Sequence, residues 1–65
     1  MDETVQRRIR HAIREAARES GMPVRDLSLD HVDVAIRREL SPDELRQVGL
    51  DELFGIWEGL AANEA

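Results

Sequence analysis

The chain has 65 residues, of which 42% are hydrophobic and 35% are charged, with no cysteine and a formal net charge of −5. This length permits one small domain, residues 1–65, with a thin core, and leaves no room for a separate catalytic module. Without cysteine no disulfide can form, so self-association as a homodimer is the expected source of extra stability. The composition also fits a reducing cytoplasm, and no apolar run is long enough to span a membrane.

The charges are distributed unevenly along the chain. All nine cations are arginine. Residues 1–40 contain eight arginines and eight acids, whereas residues 41–65 contain Arg46 and six acids. Because binding to nucleic acid is driven by clustered positive charge, this acidic balance disfavours nucleic acid as a partner.

The first predicted helix begins near Asp2 or Thr4 and ends at Ser20-Gly21, because glycine ends helices readily and Pro23 follows. Its apolar residues fall within one narrow arc, which predicts a side that faces the core. They are Val5, Ile9, Ala12, Ile13 and Ala16, with Ser20 at the end of the arc.

The opposite side of this helix is basic. Like charges one turn apart repel each other, so this side would gain from an anion or an acidic partner. The simpler interpretation is a solvated face, or pairing with the acids of residues 43–58 in the same fold or across a dimer. We call Arg7, Arg10, Arg14 and Arg18 the arginine stripe.

The middle of the chain predicts a second helix. Residues 22–29 form a connector or a short helix that precedes it. The second helix starts at Ser28 or Asp30 and runs to Arg38 or Leu40. The apolar residues of this region that are expected to face or close the core are Val24, Leu27, Leu29, Val32, Ala35, Ile36 and Leu40.

The clearest helix start in the sequence is Ser41-Pro42-Asp43-Glu44. Serine suits the cap, proline suits the first helical position, and Glu44 completes a capping box. Gly49 follows within two turns, so this third helix is short, with Leu45 and Val48 as its candidates for burial.

The last predicted helix is capped by Asp51 and runs from Glu52 to about Ala62. Its apolar arc is wider than an ordinary surface helix needs, so part of it is expected to face a partner. Gly55 and Gly59 lie on its other side, where they either allow a close backbone contact or weaken the helix end. The arc consists of Leu53, Phe54, Ile56, Trp57, Leu60 and Ala61.

No pattern of residues predicts catalysis or metal binding. His11 and His31 lie on different predicted helices, and there is no cysteine to complete a metal site with them. Ser20 and Ser41 are explained by helix ends, and the acids at helix starts complement the helix dipole. We therefore expect no enzyme activity, no metal and no cofactor.

Residues 17–27, with the sequence ARESGMPVRDL, resemble a helix-turn-helix. Gly21 follows Ala17 by four positions, and apolar residues occupy positions consistent with the turn. The resemblance implies a helix from Pro23 to about Leu29 that enters the major groove of DNA, with Arg25 contacting a base or a phosphate. A DNA-binding regulator is therefore one alternative function.

The stretch Ser28-Leu29-Asp30-His31-Val32-Asp33 resembles the start of the second helix of acyl and peptidyl carrier proteins, which are small acidic four-helix domains. Residues 41–53 are similar to the later short helices of that family. The resemblance implies that phosphopantetheine is attached to Ser28, although Leu27 replaces the aspartate that normally precedes the serine. A carrier domain is therefore a second alternative.

Taken together, these elements predict an all-α fold, a small bundle of three to four helices in a single domain. The leading hypothesis is a non-enzymatic adaptor or regulator that binds another protein and associates with itself. Its partner-binding candidates are Phe54, Ile56, Trp57 and Leu60, because large aromatic side chains dominate interface energetics. Trp57, as the only tryptophan, is expected more in the core than at an interface.

Overall fold

A computed structural model describes residues 2–63, and within this range the chain forms helices and no strands. This confirms the predicted all-α bundle. No helix in the described range is both long enough and apolar enough to cross a membrane. The elements in chain order are α1 (Glu3–Ser20), a 3-10 turn (Val24–Asp26), α2 (Leu29–Glu39), α3 (Pro42–Gln47) and α4 (Leu50–Ala62).

Helix α1 begins and ends where the sequence predicts. The Asp2 carboxylate accepts a hydrogen bond from the Thr4 N–H at 2.9 Å. At the other end Gly21 has φ of 66°, in the left-handed region that glycine adopts without steric strain. The Met22 N–H then donates to the Ala17 carbonyl at 3.1 Å, which satisfies one of the last carbonyls of the helix.

Helices α2 and α3 each begin with a serine capping box. The Glu44 N–H donates to Ser41 Oγ at 3.3 Å, and the Ser41 N–H donates to Glu44 Oε1 at 2.9 Å. At α2 a histidine takes the place of the glutamate. The Ser28 N–H donates to His31 Nδ1 at 3.3 Å, and the His31 N–H donates to Ser28 Oγ at 3.3 Å. The predicted Ser41 cap is confirmed, and of the two caps considered for α2, Ser28 rather than Asp30 is the one used.

The predicted cap of the last helix is wrong by two residues. The helix begins at Leu50, and its cap is Gly49, which has no side chain to offer. The Gly49 carbonyl accepts the first hydrogen bond of the helix, from the Leu53 N–H at 3.0 Å. Asp51 and Glu52 instead lie in the first turn, where their charges complement the positive end of the helix dipole.

The segment after α1 corrects the helix-turn-helix expectation. Between Pro23 and Leu29 only Val24–Asp26 is helical, as a single 3-10 turn. Leu27 is extended and buried, and Ser28 caps a new helix. Because the chain must turn Leu27 into the core before α2 can start, the recognition helix implied by that resemblance does not form.

The core lies between α1, α2 and α4 and is closed by the 3-10 turn. Its fully buried side chains are Ile9, Ile13 and Val32. Two residues expected inside are exposed, because Ser20 is the last residue of α1 and Leu29 the first of α2. The other buried apolar residues are Ala12, Ala16, Ala17, Val24, Leu27, Ile36, Leu40, Leu53 and Leu60.

Arg8, which is not part of the arginine stripe, links α1 to the junction between α2 and α3. Arg8 Nη1 lies 2.5 Å from Glu44 Oε2, and Arg8 Nη2 donates to the Glu39 carbonyl. Hydrogen bonds from Ser41, above all its backbone N–H, and the Arg8 charge hold the pKa of Glu44 below its usual value. Glu44 therefore both caps α3 and fixes it against α1.

Candidate protein-binding surfaces

Four large apolar side chains are exposed within residues 2–63, and two of them lie on α4. Leu50 is 66% exposed and Phe54 is 37% exposed, whereas Leu29 and Val34 lie on α2. Residues four apart on a helix are neighbours on its surface. With Trp57 one turn further on, Leu50 and Phe54 form a continuous row, which we call the apolar stripe of α4.

The aromatic part of this stripe is held in place. The Trp57 indole Nε1 donates to the Val24 carbonyl at 3.0 Å, which fixes the half-buried ring against the 3-10 turn. The Phe54 ring stacks on it with a centroid distance of 6.2 Å and an interplanar angle of 26°. Phe54 is thus an exposed aromatic side chain on a rigid support, and little entropy remains to be lost when a partner covers it.

A shallow apolar groove of about 310 Å³ adjoins the stripe at Leu50. It lies between α2, α3 and α4. Asp33 and Arg37 border it, and they neutralise each other through a salt bridge of 3.0 Å. Apart from these two residues, the groove is lined mainly by apolar side chains, which include Ile36, Pro42, Leu45, Val48, Leu50 and Leu53.

The solvent side of the apolar stripe is acidic. At about 100° per residue, Asp51 and Glu58 project next to Leu50 and Phe54, and both acids are exposed. Neither carboxylate has a salt bridge or hydrogen bond to any other residue in the described range. Helix α4 contains no basic residue that could compensate them.

The partner-binding candidates named from the sequence lie in different surroundings. Phe54 is exposed and Trp57 is half-buried in the apolar stripe, whereas the half-buried Ile56 and the 7% exposed Leu60 line a groove between α1 and α4. Leu50 was missed because the predicted helix began after it. Its spacing of four from Phe54 is the signal that could have found it.

Within the arginine stripe, the two outer arginines form salt bridges and the two inner ones do not. Arg7 forms a salt bridge with Glu3 at 3.4 Å, and Arg18 forms one with Glu15. Arg10 and Arg14 have no carboxylate or hydrogen-bond partner among residues 2–63, and they line a groove between α1 and α4. The expected pairing with acids of residues 43–58 is therefore not seen within the described range, because the two outer arginines pair with acids of α1 itself.

The remaining predicted residues, Ser28 and Arg25, line neither of these grooves. Ser28 Oγ is 2.8 Å from His31 Nδ1, and both side chains serve the cap of α2. Arg25 is exposed on the 3-10 turn. In the part of the chain that the structure describes, no three histidine, cysteine or acidic side chains come together as a metal site.

Comparisons with known proteins provide no relative. No family model matches the sequence, and neither the curated proteins nor the solved structures contain a match.

Proposed function

We propose that the protein is a small non-enzymatic adaptor that binds a helix of another protein on the apolar stripe of α4. One observation carries the proposal: Leu50 is 66% exposed beside Phe54, which stacks on the fixed ring of Trp57. Complete burial of a leucine or phenylalanine side chain contributes about 1.5–3 kcal/mol relative to exposure. Leu50 retains most of that free energy for a partner and Phe54 about a third of it, since they are 66% and 37% exposed in the free chain.

The chemistry around the stripe defines the partner. An amphipathic helix laid along α4 would place apolar residues at i, i+3, i+4 and i+7 against Leu50, Phe54 and the adjoining groove. Asp51 and Glu58 border the stripe without compensating cations, so lysine or arginine on that edge of the partner is favoured. The proposed partner is therefore a basic amphipathic helix.

Binding can be measured through the only tryptophan, which lies in the stripe. The probe is a synthetic amphipathic helix of leucine and lysine, titrated into the full chain while Trp57 fluorescence is recorded. We expect saturable binding that weakens about tenfold or more in Phe54→Ala, since interface aromatics dominate binding energy.

Val34→Ala is the matched control, because Val34 is exposed to a similar degree on α2 and should leave binding unchanged. A second control peptide carries glutamate in place of lysine and should bind more weakly. Equal loss in both protein variants, or equal binding of both peptides, would refute the proposal.

We also propose that the protein associates with itself and works in the cytoplasm. A thin core without disulfides favours a homodimer, and light scattering over a dilution series of the untagged protein would detect it as a doubled mass. A monomeric mass at every concentration would refute the homodimer and would not affect the proposed binding of a partner helix. The lack of cysteine supports the cytoplasm as the working compartment.

A further inference from the structure

A second groove, of about 530 Å³, runs between α1 and α4. Arg10 and Arg14 form its α1 wall, and Gly55 and Gly59 form part of its α4 wall, with Glu52 at one end. At about 100° per residue, the two glycines lie about 140° around α4 from Leu50 and Phe54. The groove and the apolar stripe therefore open on different sides of the same helix.

The two arginines in this groove are left without the charge partners that most other arginines of the chain have. They lie one turn apart on α1, where like charges repel each other. The chain has 14 acidic residues, so a shortage of carboxylates does not explain their isolation. The arginines that do form salt bridges in the described range are Arg7, Arg8, Arg18, Arg37 and Arg46.

The α4 wall of the groove is open. A Cβ added at Gly55 or Gly59 would meet no atom within 4 Å, so packing inside the fold does not require glycine at either position. Each glycine costs about 1 kcal/mol relative to alanine in a helix interior. Their absent side chains leave the backbone of α4 accessible beside Arg10 and Arg14, at the same spacing of four residues.

We propose that this groove binds an acidic helical segment of a second protein. Two carboxylates at positions i and i+4 of that segment would match the spacing of Arg10 and Arg14, and small residues on its adjacent side would pass over the two glycines. The proposal goes beyond the partner of the apolar stripe. Because the two sites open on different sides of α4, we expect the adaptor to join a basic helix on one side of α4 to an acidic helix on another.

A nucleic acid fits the groove less well than an acidic helix. Glu52 lines the same groove, and the chain carries a net charge of −5, so a polyanion that fills the groove meets repulsion from one wall. A helix with acids on one side only presents its carboxylates to α1 and keeps them away from Glu52.

The test uses the full chain labelled with ¹⁵N and an alanine-based peptide of about 16 residues, long enough to be helical alone. The peptide carries glutamate at positions i and i+4, and a matched peptide carries glutamine there. We expect amide shifts confined to the groove around Arg10, Arg14, Gly55 and Gly59, with affinity for the glutamate peptide falling as salt is added. The glutamine peptide should cause no such shifts.

Two double variants then compare the contribution to binding of the arginines in the groove with that of the arginines outside it. Arg10→Gln/Arg14→Gln should weaken binding at least about tenfold, and Arg7→Gln/Arg18→Gln, which removes the same charge from the same helix, should not. Circular dichroism shows whether each variant is folded, and the single Arg14→Gln replaces the pair if the double variant unfolds. Phe54→Ala should bind the acidic peptide normally, which distinguishes this site from the apolar stripe.

Four results would overturn the proposal. They are the absence of shifts at low salt, equal binding of both peptides, groove shifts that depend on protein concentration without peptide, and tighter binding of duplex DNA through the same arginines. The third result would assign the groove to a second copy of the chain, and the fourth to nucleic acid.

Discussion

The indole Nε1 of Trp57 donates a hydrogen bond to the carbonyl of Val24 at 3.0 Å, joining α4 to the 3-10 turn across 33 positions of sequence. This bond holds the tryptophan at the edge of the core with part of its ring exposed. The Phe54 ring stacks on the same indole, so the 3-10 turn contacts the apolar stripe through Trp57.

Trp57→Phe should therefore lower stability modestly. The substitution keeps an aromatic ring and removes the indole hydrogen bond, which contributes about 0.5–1.5 kcal/mol. The lower part of that range is expected, because the Val24 carbonyl also accepts from the Leu27 N–H at 3.2 Å. Urea unfolding followed by circular dichroism measures the change, and an unaltered midpoint would show that the bond contributes nothing.

Arg8→Ala should destabilise the fold more than Arg7→Ala. Arg8 joins α1 to Glu44 and to the Glu39 carbonyl and is partly buried, whereas Arg7 pairs with Glu3 along the exposed surface of one helix. We expect a loss of about 1 kcal/mol at Arg8 and a few tenths at Arg7. Equal losses in urea unfolding would contradict the role given to Arg8.

Glu44 makes stability depend on pH in a defined direction. Hydrogen bonds from Ser41 and the charge of Arg8 lower the pKa of Glu44 in the folded chain. Since the folded pKa lies below the unfolded one, the stabilisation is complete above the unfolded pKa and is lost as pH falls through the folded value.

Glu44→Gln provides the control for this pH effect. Glutamine can still close the capping box but does not titrate. Unfolding free energies measured between about pH 7 and about pH 3, on either side of the usual glutamate pKa, should fall less steeply in the variant. Identical slopes would mean that Glu44 does not contribute to the acid sensitivity.

Gly55→Ala and Gly59→Ala should each stabilise the free chain, by up to about 1 kcal/mol, because alanine favours the helix and its Cβ meets open space. Gly21→Ala is the opposing control, since φ of 66° is unfavourable for a residue with a side chain. We expect Tm to rise at the first two positions and fall at the third. A fall at Gly55 or Gly59 would show that these glycines serve the fold itself.

The sequence predicted the helices well because their ends are encoded locally. Ser41 with Glu44, Ser28 at the start of α2, and Gly21 at the end of α1 each determine a boundary through a few adjacent atoms. The start of α4 was wrong, since Gly49 caps it through backbone geometry alone and Asp51 offered a stronger side-chain signal.

The surfaces were predicted less completely, because they depend on which elements meet. Helical periodicity places Leu60 and Phe54 in one apolar arc, and only the packing of α4 on α1 and the 3-10 turn buries the first and exposes the second. Periodicity likewise groups Arg10 with Arg7 in one stripe. Glu3 and Glu15 lie one helical turn from Arg7 and Arg18, so those two salt bridges could have been found from the spacing. The groove beside Arg10 and Arg14 appears only in the folded chain.

Amide shift mapping with the leucine–lysine helix is the sharpest test of protein binding at the apolar stripe of α4. The largest shifts should fall on Leu50, Phe54 and Trp57, with little change at Leu29 and Val34 of α2. Shifts centred on α2, or no shifts at millimolar peptide, would show that the stripe is not the binding site.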